Sequence, residues 1–373
     1  MPAVTKEFFD SLPEKDILMI RDYIWTRFGT GPAVHEIVPP QVSESDKKDA
    51  SQNDSFKPHC PVCGSVHIVK NGTCCGTQRY LCKDCRKTFS STSGTLMASS
   101  KIPVKKTFEM IECEIEGLSL KETSYRSKLS ESTCFNFRQR LYSMASAMME
   151  DVQLADQIEL DSTYSKINLS GTRPKDMPRF SKKRGKKSPV VGEFQSLRGL
   201  SHHKICIVTG IDENDIILYR LSGLGMESFD KYEQHSSHFT DGKTIISDDN
   251  SSIQAFAKAH DIKSEVIPSK RHTTEEGNSL GDVNQLHQTL KDLVRSKHGV
   301  STRHLPGYLN WISYLKRLIY SIPREQIPEQ ILSDLYETEA RFLRDDICKA
   351  EQPVSLYEAY GEYHYGIFSD TNV

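Results

Sequence analysis

The sequence predicts a multidomain protein, with a small cysteine-rich module and a helical segment on the N-terminal side of an α/β domain that contains a mixed sheet. Three observations support this prediction. Two C-x2-C pairs lie between residues 60 and 85, apolar residues recur at helical spacing through residues 103–149, and short apolar runs begin near residue 157. Because strands come first and helices are interleaved later, the last part is typical of an α/β domain.

Length and composition indicate a soluble globular protein. The chain has 373 residues, of which 37% are hydrophobic and 26% charged, and its net charge is -2. This length allows two or more domains, and no run of about 18 apolar residues predicts a transmembrane helix. The first residues do not have the pattern of a signal peptide, so we expect a cytoplasmic protein. Any binding of nucleic acid must come from local basic patches, because the overall charge is not basic.

Changes in composition along the chain predict the domain boundaries. Residues 5–29 have apolar residues at helical spacing, and residues 31–57 are rich in Pro, Ser, Asp and Lys, which is typical of a linker. We expect an N-terminal helical segment (1–30), a linker (31–57), a cysteine module (58–97), a helical segment (98–150), an α/β domain (151–322) and a C-terminal helical and aromatic extension (323–373).

The cysteine module has the spacing of a zinc ribbon. Its pattern is C-x2-C-x18-C-x2-C, and each tight C-x2-C turn aims two thiolates at one ion. Four unrelated thiols are the alternative. A closed four-thiolate site has no open position, so we expect the zinc to be structural. Zinc ribbons bind DNA or proteins, and Lys83, Arg86 and Lys87 favour DNA. The predicted zinc ligands are Cys60, Cys63, Cys82 and Cys85.

Residues 117–141 have the pattern of two short helices. Ser119 and Glu122 form a capping box for the first helix, and Ser130 is a good N-cap for the second. This pattern predicts a helix-turn-helix that binds DNA, although an ordinary helical hairpin has the same rhythm. The second helix would offer Glu131, Ser132, Asn136, Arg138 and Arg140 to a DNA groove.

Two aspartates follow predicted strands of the α/β domain. Asp161 ends an alternating strand in "IELDSTY", and Asp248 follows an apolar run in "IISDDN". Two strand-end carboxylates and one oxygen-bearing helix residue, Asn284, can converge on Mg²⁺ ions, which prefer oxygen ligands. Two such ions promote phosphoryl transfer. Each aspartate alone could equally be a helix N-cap or a turn residue, and Asp249 is a rival for Asp248.

The helix predicted over 279–297 places three polar residues in a row. Asn284, His287 and Lys291 follow the i, i+3, i+7 spacing of one helix face, beside an apolar stripe. A solvated helix edge is the alternative interpretation. The stripe consists of Val283, Leu286, Leu290 and Leu293.

The segment "RFSKKRGKKS", residues 179–188, is strongly basic and contains no acidic residue. A loop of this kind can clamp a phosphate backbone, and a solvated loop is the alternative. The basic residues that we expect to contact DNA here are Lys182, Lys183, Arg184, Lys186 and Lys187.

The order of these modules resembles bacterial insertion-sequence transposases of the ISXO-like group. The resemblance covers roughly residues 58–320, and it implies a ribonuclease-H-like catalytic domain. The most specific pieces are "CPVCGS" with "YLCKDCRKTFS", "ELDSTY", "RGLSHHKICIVTGID", "IISDDNSSIQAFAKAHDI" and "VNQLHQTLKDLVRSKHGVSTRHLPGYLNWISYLKR".

The resemblance also implies roles for the polar residues. Asp161 and Asp248 correspond to the first and second catalytic carboxylates. The third position is usually Glu in related transposases, and some branches use Asn with Lys seven residues on, which Asn284 and Lys291 match. His287 is the other candidate for the third ligand. An Asn oxygen is neutral, so such a site should hold its second metal more weakly than a site with three carboxylates.

Together these features predict a DNA transposase that binds the terminal inverted repeats of its element. It would hydrolyse a phosphodiester and use the freed 3′-OH to attack target DNA, with Mg²⁺ or Mn²⁺ at Asp161, Asp248 and Asn284. Two DNA ends must be joined, so we expect a homodimer or a higher synaptic oligomer. A catalytically inactive DNA-binding regulator and a metal-dependent nuclease are the alternatives.

Overall fold

A computed structural model describes residues 59–74, 77–170, 204–268, 273–274, 277–297 and 299–340, together with residues 342, 347, 350–355 and 358. The helix predicted over 5–29, the linker predicted over 31–57 and the basic segment 179–188 lie outside these residues. Contacts divide the chain into two compact units, and the division falls between Ser91 and Thr92.

The first unit contains a small antiparallel sheet. Its middle strand pairs with both neighbours, and a core of Cys60, Cys82 and Phe89 lies against it. The rings of Tyr80 and Phe89 stack with their centroids 5.6 Å apart, which adds apolar contact to a core too small to be stable alone. The strands are β1 (Ile68–Cys74), β2 (Thr77–Cys82) and β3 (Thr88–Ser90).

The second unit is built on a five-stranded mixed sheet, as the sequence predicted. The strands are β4 (Asp156–Lys166), β5 (Lys204–Asp212), β6 (Ile217–Leu224), β7 (Gly242–Asp248) and β8 (Lys263–Ile267). Their order is β6-β5-β4-β7-β8. The pairs β4–β5 and β5–β6 are antiparallel, whereas β4–β7 and β7–β8 are parallel. The central strand β4 therefore has an antiparallel neighbour on one side and a parallel neighbour on the other.

Helices precede, interrupt and follow this sheet. They are α1 (Val104–Ile115), α2 (Leu120–Ser127), α3 (Glu131–Met148), α4 (Phe229–Glu233), α5 (Ser251–Ala259), α6 (Gly281–Ser296), α7 (Leu305–Ser321) and α8 (Ile327–Glu337). Helix α6 packs on β4 and β5, and α7 packs on β6 and α3. Of the helices in the described ranges, none is both long and apolar enough to cross a bilayer.

The second unit has one shared apolar core, so its segments are not separate bodies. Phe137 of α3, Leu218 of β6 and Leu335 of α8 belong to the same buried cluster. Leu96 and Met97, which the sequence placed in the cysteine module, are 1% and 2% exposed in this core. The division between the two units at residue 91 thus lies six residues before the end predicted for the cysteine module at residue 97.

A buried charged network connects the helices before the sheet with the end of α6. The Glu114 carboxylate of α1 accepts hydrogen bonds from Arg138 Nε of α3 and from the Tyr142 hydroxyl, each at 2.6 Å. Lys297 Nζ, just after α6, lies 3.6 Å from the same carboxylate and donates to the carbonyl oxygen of Leu118 at 2.7 Å. One carboxylate is thus the shared counter-charge of two buried cations.

A second polar cluster surrounds Arg220 on β6. Its Nε donates to His238 Nε2 at 3.1 Å, and the Nδ1–H of His238 donates to the Val152 carbonyl at 2.7 Å, so the imidazole of His238 is neutral. The ring of His235 lies beside Ser222, with 3.0 Å between its Nε2 and the serine Oγ. Burial, followed by the charge of Arg220, lowers the pKa of His235 to about 4.

This cluster makes the fold sensitive to acid. In the unfolded chain His235 takes up a proton near pH 6.5, whereas in the folded chain it does so only near pH 4. The unfolded state therefore binds more protons in this window, and stability falls as the pH falls from about 6.5 to about 4. We expect His235→Gln to flatten this decline in urea unfolding measured at several pH values. An unchanged slope in the variant would contradict the assignment.

Candidate active site

The two predicted aspartates lie on neighbouring parallel strands. The β4–β7 register pairs Glu159 with Ile246, and two further residues along each strand lead to Asp161 and Asp248. Asp248 is the last residue of β7, as predicted. Asp161 is instead in the middle of β4, which continues to Lys166 because β5 pairs with it from Ile158 to Lys166. Asp161 therefore lies where β4 loses its parallel neighbour, a position that the alternating pattern did not reveal.

Burial and neighbouring negative charges raise the proton affinity of both aspartates. The Asp161 side chain is 21% exposed. Burial raises the pKa of Asp161 to about 7, and the negative charges of Asp248 and Glu227 add to this effect. Burial also raises the pKa of Asp248, followed by the charges of Glu227 and Asp249. A nearby cation would relieve this repulsion.

Helix α6 lies beside Asp161 and is fixed at its start by another carboxylate. Glu159, two residues before Asp161 on β4, accepts a hydrogen bond from the Val283 backbone N–H at 3.1 Å. At the next turn, the Leu286 carbonyl accepts one from the Tyr219 hydroxyl at 2.8 Å. These bonds fix the helix against the sheet. Val283, Leu286 and Leu290 are buried as predicted, and Leu293 packs at the edge of the core.

The structure distinguishes the three polar residues of α6. His287 is buried, and its Nδ1 lies 3.8 Å from the Asp161 carboxylate. Asn284 is exposed, and its amide donates to the Leu280 carbonyl at 2.7 Å. Lys291 is exposed, but its charge acts on both Asp161 and His287. Of the two candidates for the third ligand, His287 is the one in contact with an aspartate.

His287 is held neutral and lacks a partner at one ring nitrogen. Burial, followed by the charge of Lys291, lowers the pKa of His287 to about 4. Its Nε2 atom is buried and has no hydrogen-bond partner among the described residues. A neutral imidazole can bind a metal ion through a ring nitrogen.

Two further carboxylates add negative charge that acts on the aspartates. Asp249 accepts a hydrogen bond from Gln254 of α5 at 3.2 Å, so its carboxylate is engaged by that helix. Glu227, in the loop after β6, repels both Asp161 and Asp248. The sequence interpretation did not include Glu227, because it follows neither a predicted strand nor a helix start. Its one local signal is the pair of glycines before it in "SGLGME".

The donor atoms of this region fit a divalent cation. They are carboxylate oxygens that are partly removed from water, and a buried imidazole nitrogen lies beside them. Mg²⁺ and Mn²⁺ prefer oxygen ligands, and imidazole also suits the softer ions of the first transition row. The chemistry of the donor set is therefore compatible with the Mg²⁺ or Mn²⁺ that the sequence predicted.

The four cysteines of the first unit have the geometry of a zinc site. The sulfur atoms of Cys60 and Cys85 are 3.5 Å apart, and those of Cys63 and Cys82 are 3.6 Å apart. A tetrahedral ion with Zn–S bonds of about 2.3 Å separates its sulfurs by about 3.8 Å. All four sulfurs lie within 4.8 Å of one another, which no other group of three or more potential ligands does in the described ranges.

Residues around the cysteines support this arrangement. Backbone N–H groups of Cys85 and Asp84 lower the pKa of Cys82 to about 6, whereas burial and the neighbouring thiols raise the pKa of Cys63 to about 12. Asp84, within the second C-x2-C turn, accepts hydrogen bonds from Ser65 at 2.5 Å and lies 3.3 Å from His67 Nδ1. These contacts join the two turns that supply the ligands.

We expect one tightly bound zinc per chain, and we expect Cys82→Ser to lose it. The small core of the first unit includes Cys82 itself, so loss of zinc should unfold this unit. Zinc content by atomic emission and the proteolytic sensitivity of residues 59–91 measure the two effects. Cys74→Ser is the matched control, because this exposed cysteine lies outside the ligand set. Equal zinc content in both variants would contradict the site.

The predicted DNA contacts of α3 have different environments. Arg138 is 3% exposed and pairs with Glu114, so its guanidinium is not available to a DNA groove. Arg140 donates to the Leu96 carbonyl and lies over the Phe342 ring, 5.0 Å from its centroid. Asn136 is half-buried near the exposed start of the helix. The predicted contacts at Lys182, Lys183, Arg184, Lys186 and Lys187 lie outside the described residues.

Comparison with known proteins finds similarity in sequence to a protein of a transposable element. No protein-family model matches the chain. The protein described as "Uncharacterized protein in transposable element ISH50", from Halobacterium salinarum, is 30% identical over 125 residues. The match covers 33% of this chain and 42% of that protein, so the chain spans less than half the length of this curated relative.

Solved structures with similarity to the chain include complexes of Mos1. The pre-cleavage Mos1 transpososome is 9% identical with a TM-score of 0.24, and the match covers 60% of this chain and 75% of that chain. The Mos1 strand transfer complex is 10% identical with a TM-score of 0.18, over 65% and 81% of the two chains. TM-scores of this size do not establish a shared fold.

Proposed function

We propose that this protein is a DNA transposase of an insertion sequence of the ISXO-like group, with a ribonuclease-H-like catalytic domain in its second unit. The observation that supports this most strongly is the pair Asp161 and Asp248, level with each other on parallel strands beside His287. Similarity to a protein of the transposable element ISH50 supports the same class. An Asp161–Asp248 pair of this kind suits phosphoryl transfer between DNA strands.

In this proposal each residue of the site has a defined task. Asp161 and Asp248 would hold Mg²⁺ or Mn²⁺, and His287 would contribute a neutral ring nitrogen from helix α6. Bound there, two divalent ions lower the barrier to phosphodiester cleavage by activating the attacking oxygen and stabilising the leaving oxygen. Lys291, exposed and close enough for its charge to act on Asp161, contacts a DNA phosphate as a point charge.

DNA recognition is proposed for the first unit and for α2 and α3. The two helices have the predicted caps: Ser119 Oγ accepts from the Glu122 N–H at 3.3 Å, and Ser130 Oγ accepts from the Thr133 N–H at 3.2 Å. Lys128, in the left-handed conformation with φ of 54°, forms the turn between them. We propose that this pair is the helix-turn-helix that binds element ends. Its exposed polar face includes Lys121, Lys128 and Ser132, with Asn136 at the edge.

The test uses the zinc-loaded full-length protein with a labelled duplex that contains one inverted repeat of the element, a target plasmid and Mn²⁺. A transposase will cut at the repeat end and join the 3′-OH to the plasmid, and a duplex with a scrambled repeat will not react. Joining requires two ends, so the active complex should contain at least two protein chains in size-exclusion chromatography with light scattering.

Two outcomes would replace the proposal. Cleavage without joining would indicate a metal-dependent nuclease. Tight binding of the repeat with no cleavage in Mg²⁺ or Mn²⁺ would indicate a DNA-binding regulator that lacks catalysis.

The third ligand can be tested with two substitutions. We expect His287→Gln to reduce Mn²⁺-dependent cleavage about tenfold or more, because its ring contacts Asp161. Asn284→Ala should have a smaller effect, because this exposed amide is bonded to its own helix. Gln288→Ala, an exposed neighbour paired with Asp292, is the control. A larger loss for Asn284→Ala than for His287→Gln would reverse the assignment.

A further inference from the structure

Two buried polar side chains on facing elements of the second unit have no hydrogen-bond partner among the described residues. One is His287 of α6, which is 6% exposed and whose Nε2 atom is unpaired. The other is Thr209 of β5, which is 0% exposed and whose hydroxyl is unpaired. Within the described ranges, this hydroxyl is the only buried unpaired side-chain atom on the five-stranded sheet. Buried polar atoms normally have partners, so both atoms require an explanation.

The register of the sheet places Thr209 under the part of α6 that carries His287. Thr209 pairs with Asp161 of β4 on one side and with Tyr219 of β6 on the other. Directly paired residues of neighbouring strands have their side chains on the same face of the sheet. The Asp161 carboxylate faces His287 Nδ1, and the Tyr219 hydroxyl donates to the Leu286 carbonyl at 2.8 Å. The two neighbours of Thr209 thus contact consecutive residues of α6.

The next residue of β5 supports this orientation. A Cβ atom on Gly210 would contact side chains of the opposite face, those of Leu154, Leu160 and Phe239. Because successive residues of a strand face opposite sides of the sheet, Thr209 points toward α6. Helix α6 packs on both β4 and β5, so it covers Thr209.

The contact between His287 and Asp161 bears on which ring nitrogen carries the hydrogen atom. Nδ1 lies 3.8 Å from the carboxylate oxygen, which is too long for a hydrogen bond. A neutral imidazole that offers Nδ1 to a divalent cation carries its hydrogen on Nε2. Histidine ligands of metal ions almost always donate this second N–H to an oxygen atom, which fixes the orientation of the ring.

We propose that Thr209 is a positioning residue, whose hydroxyl accepts a hydrogen bond from the Nε2–H of His287 and so keeps Nδ1 directed at Asp161. The proposal rests on the function proposed above and deepens it, because it names the residue that orients the proposed nitrogen ligand. Rotation of the Thr209 side chain or one bridging water molecule completes the bond, and either satisfies both buried atoms. Thr209 acts only through His287.

The first test compares Thr209→Val with Thr209→Ser. Valine keeps the shape of threonine but has no hydroxyl, whereas serine keeps the hydroxyl. We expect Thr209→Val to weaken the binding of Mn²⁺ to the zinc-loaded full-length protein about tenfold or more in calorimetric titration. Mn²⁺-dependent cleavage of the labelled end duplex should fall by a similar factor. Thr209→Ser should restore both properties to near the wild-type values, and equal losses in the two variants would contradict a role of the hydroxyl.

Ser313→Ala is the matched control. Ser313 of α7 is 0% exposed, and its hydroxyl also has no partner among the described residues. This substitution removes a buried hydroxyl far from the register of Asp161, so Mn²⁺ binding and cleavage should stay at the wild-type level. Thermal unfolding checks that both variants are folded. Equal Mn²⁺ affinities of Thr209→Val, Ser313→Ala and the wild type would overturn the proposal.

A spectroscopic measurement on the wild type tests the position of the hydrogen atom. Long-range ¹H–¹⁵N correlation spectra of protein labelled at histidine distinguish the two tautomers of a neutral imidazole. The signals of His287 are those that disappear in His287→Gln. Without Mn²⁺ they should show the Nε2–H tautomer, and Thr209→Val should give a mixture of both tautomers. An Nδ1–H tautomer in the wild type would overturn the proposal.

A double variant distinguishes this proposal from the function on which it rests. Because Thr209 acts through His287, adding Thr209→Val to His287→Gln should not weaken Mn²⁺ binding further. If His287→Gln weakens Mn²⁺ binding and Thr209→Val does not, the role of Thr209 is wrong and the proposed metal site remains. If neither His287→Gln nor Asp161→Asn changes Mn²⁺ binding, the proposed metal site is itself wrong.

Discussion

Asp161→Asn will reduce both DNA cleavage and strand joining by on the order of a thousandfold or more. The substitution keeps the shape of the side chain but removes the charge that faces His287 and is repelled by Asp248. Binding of the element end should be unchanged, because Asp161 lies on β4, whereas the proposed recognition residues Lys121, Lys128 and Ser132 lie on α2, at the turn after it and on α3. Single-turnover cleavage of a labelled end duplex and electrophoretic mobility shift measure the two properties.

Stability is the control for this prediction. Burial and neighbouring negative charges raise the pKa of Asp161, so its ionised form does not stabilise the fold. Asp161→Asn should therefore unfold in urea at the wild-type midpoint or above it. Asp249→Asn, which removes the carboxylate bonded to Gln254, should retain activity within about tenfold. Activity that survives in Asp161→Asn would refute the proposed active site.

Glu114→Gln will destabilise the second unit by about 3–5 kcal/mol. The carboxylate of Glu114 is buried, accepts from Arg138 and Tyr142, and lies 3.6 Å from Lys297. With glutamine at this position, two buried cations lose their shared counter-charge, and its NH₂ group faces existing donors. Urea unfolding followed by tryptophan fluorescence is suitable, because Trp311 lies in the same core.

A neighbouring ion pair gives the matched control. Glu116 pairs with Arg126 at 2.6 Å, and both side chains are about 40% exposed. Solvated pairs of this kind contribute about 0–1 kcal/mol, so Glu116→Gln should change little. Equal effects of the two substitutions would show that the buried network is not what holds α1, α3 and the end of α6 together.

Features that depend on neighbours in sequence could be predicted. The capping box at Ser119, the N-cap at Ser130 and the apolar stripe of α6 are formed as expected. Each depends on residues three or four positions apart, where the geometry of a helix leaves little freedom. The grouping of the four cysteines could also be predicted, because each C-x2-C turn fixes two ligands locally.

Features that depend on distant pairing could not be predicted. The sequence placed Asp161 at a strand end, but β5, more than forty residues later, pairs with β4 beyond it. Arg138 had the spacing of a groove contact, and a partner 24 residues earlier buries it. From the sequence, Asn284 and His287 were equally good candidates for the third metal ligand, because both lie on one face of the helix. Packing of this helix on the sheet places the ring of His287 against Asp161.

The sequence by itself determined the grouping of the four cysteines, the strands that bear Asp161 and Asp248, and the helix that bears His287. Only the tertiary structure decided that His287 meets Asp161 and that helices α1, α2 and α3 share a core with the sheet. The physical reason is that local patterns fix the direction of a side chain within its own element. The register of strands and the packing of helices then decide which charges are buried side by side.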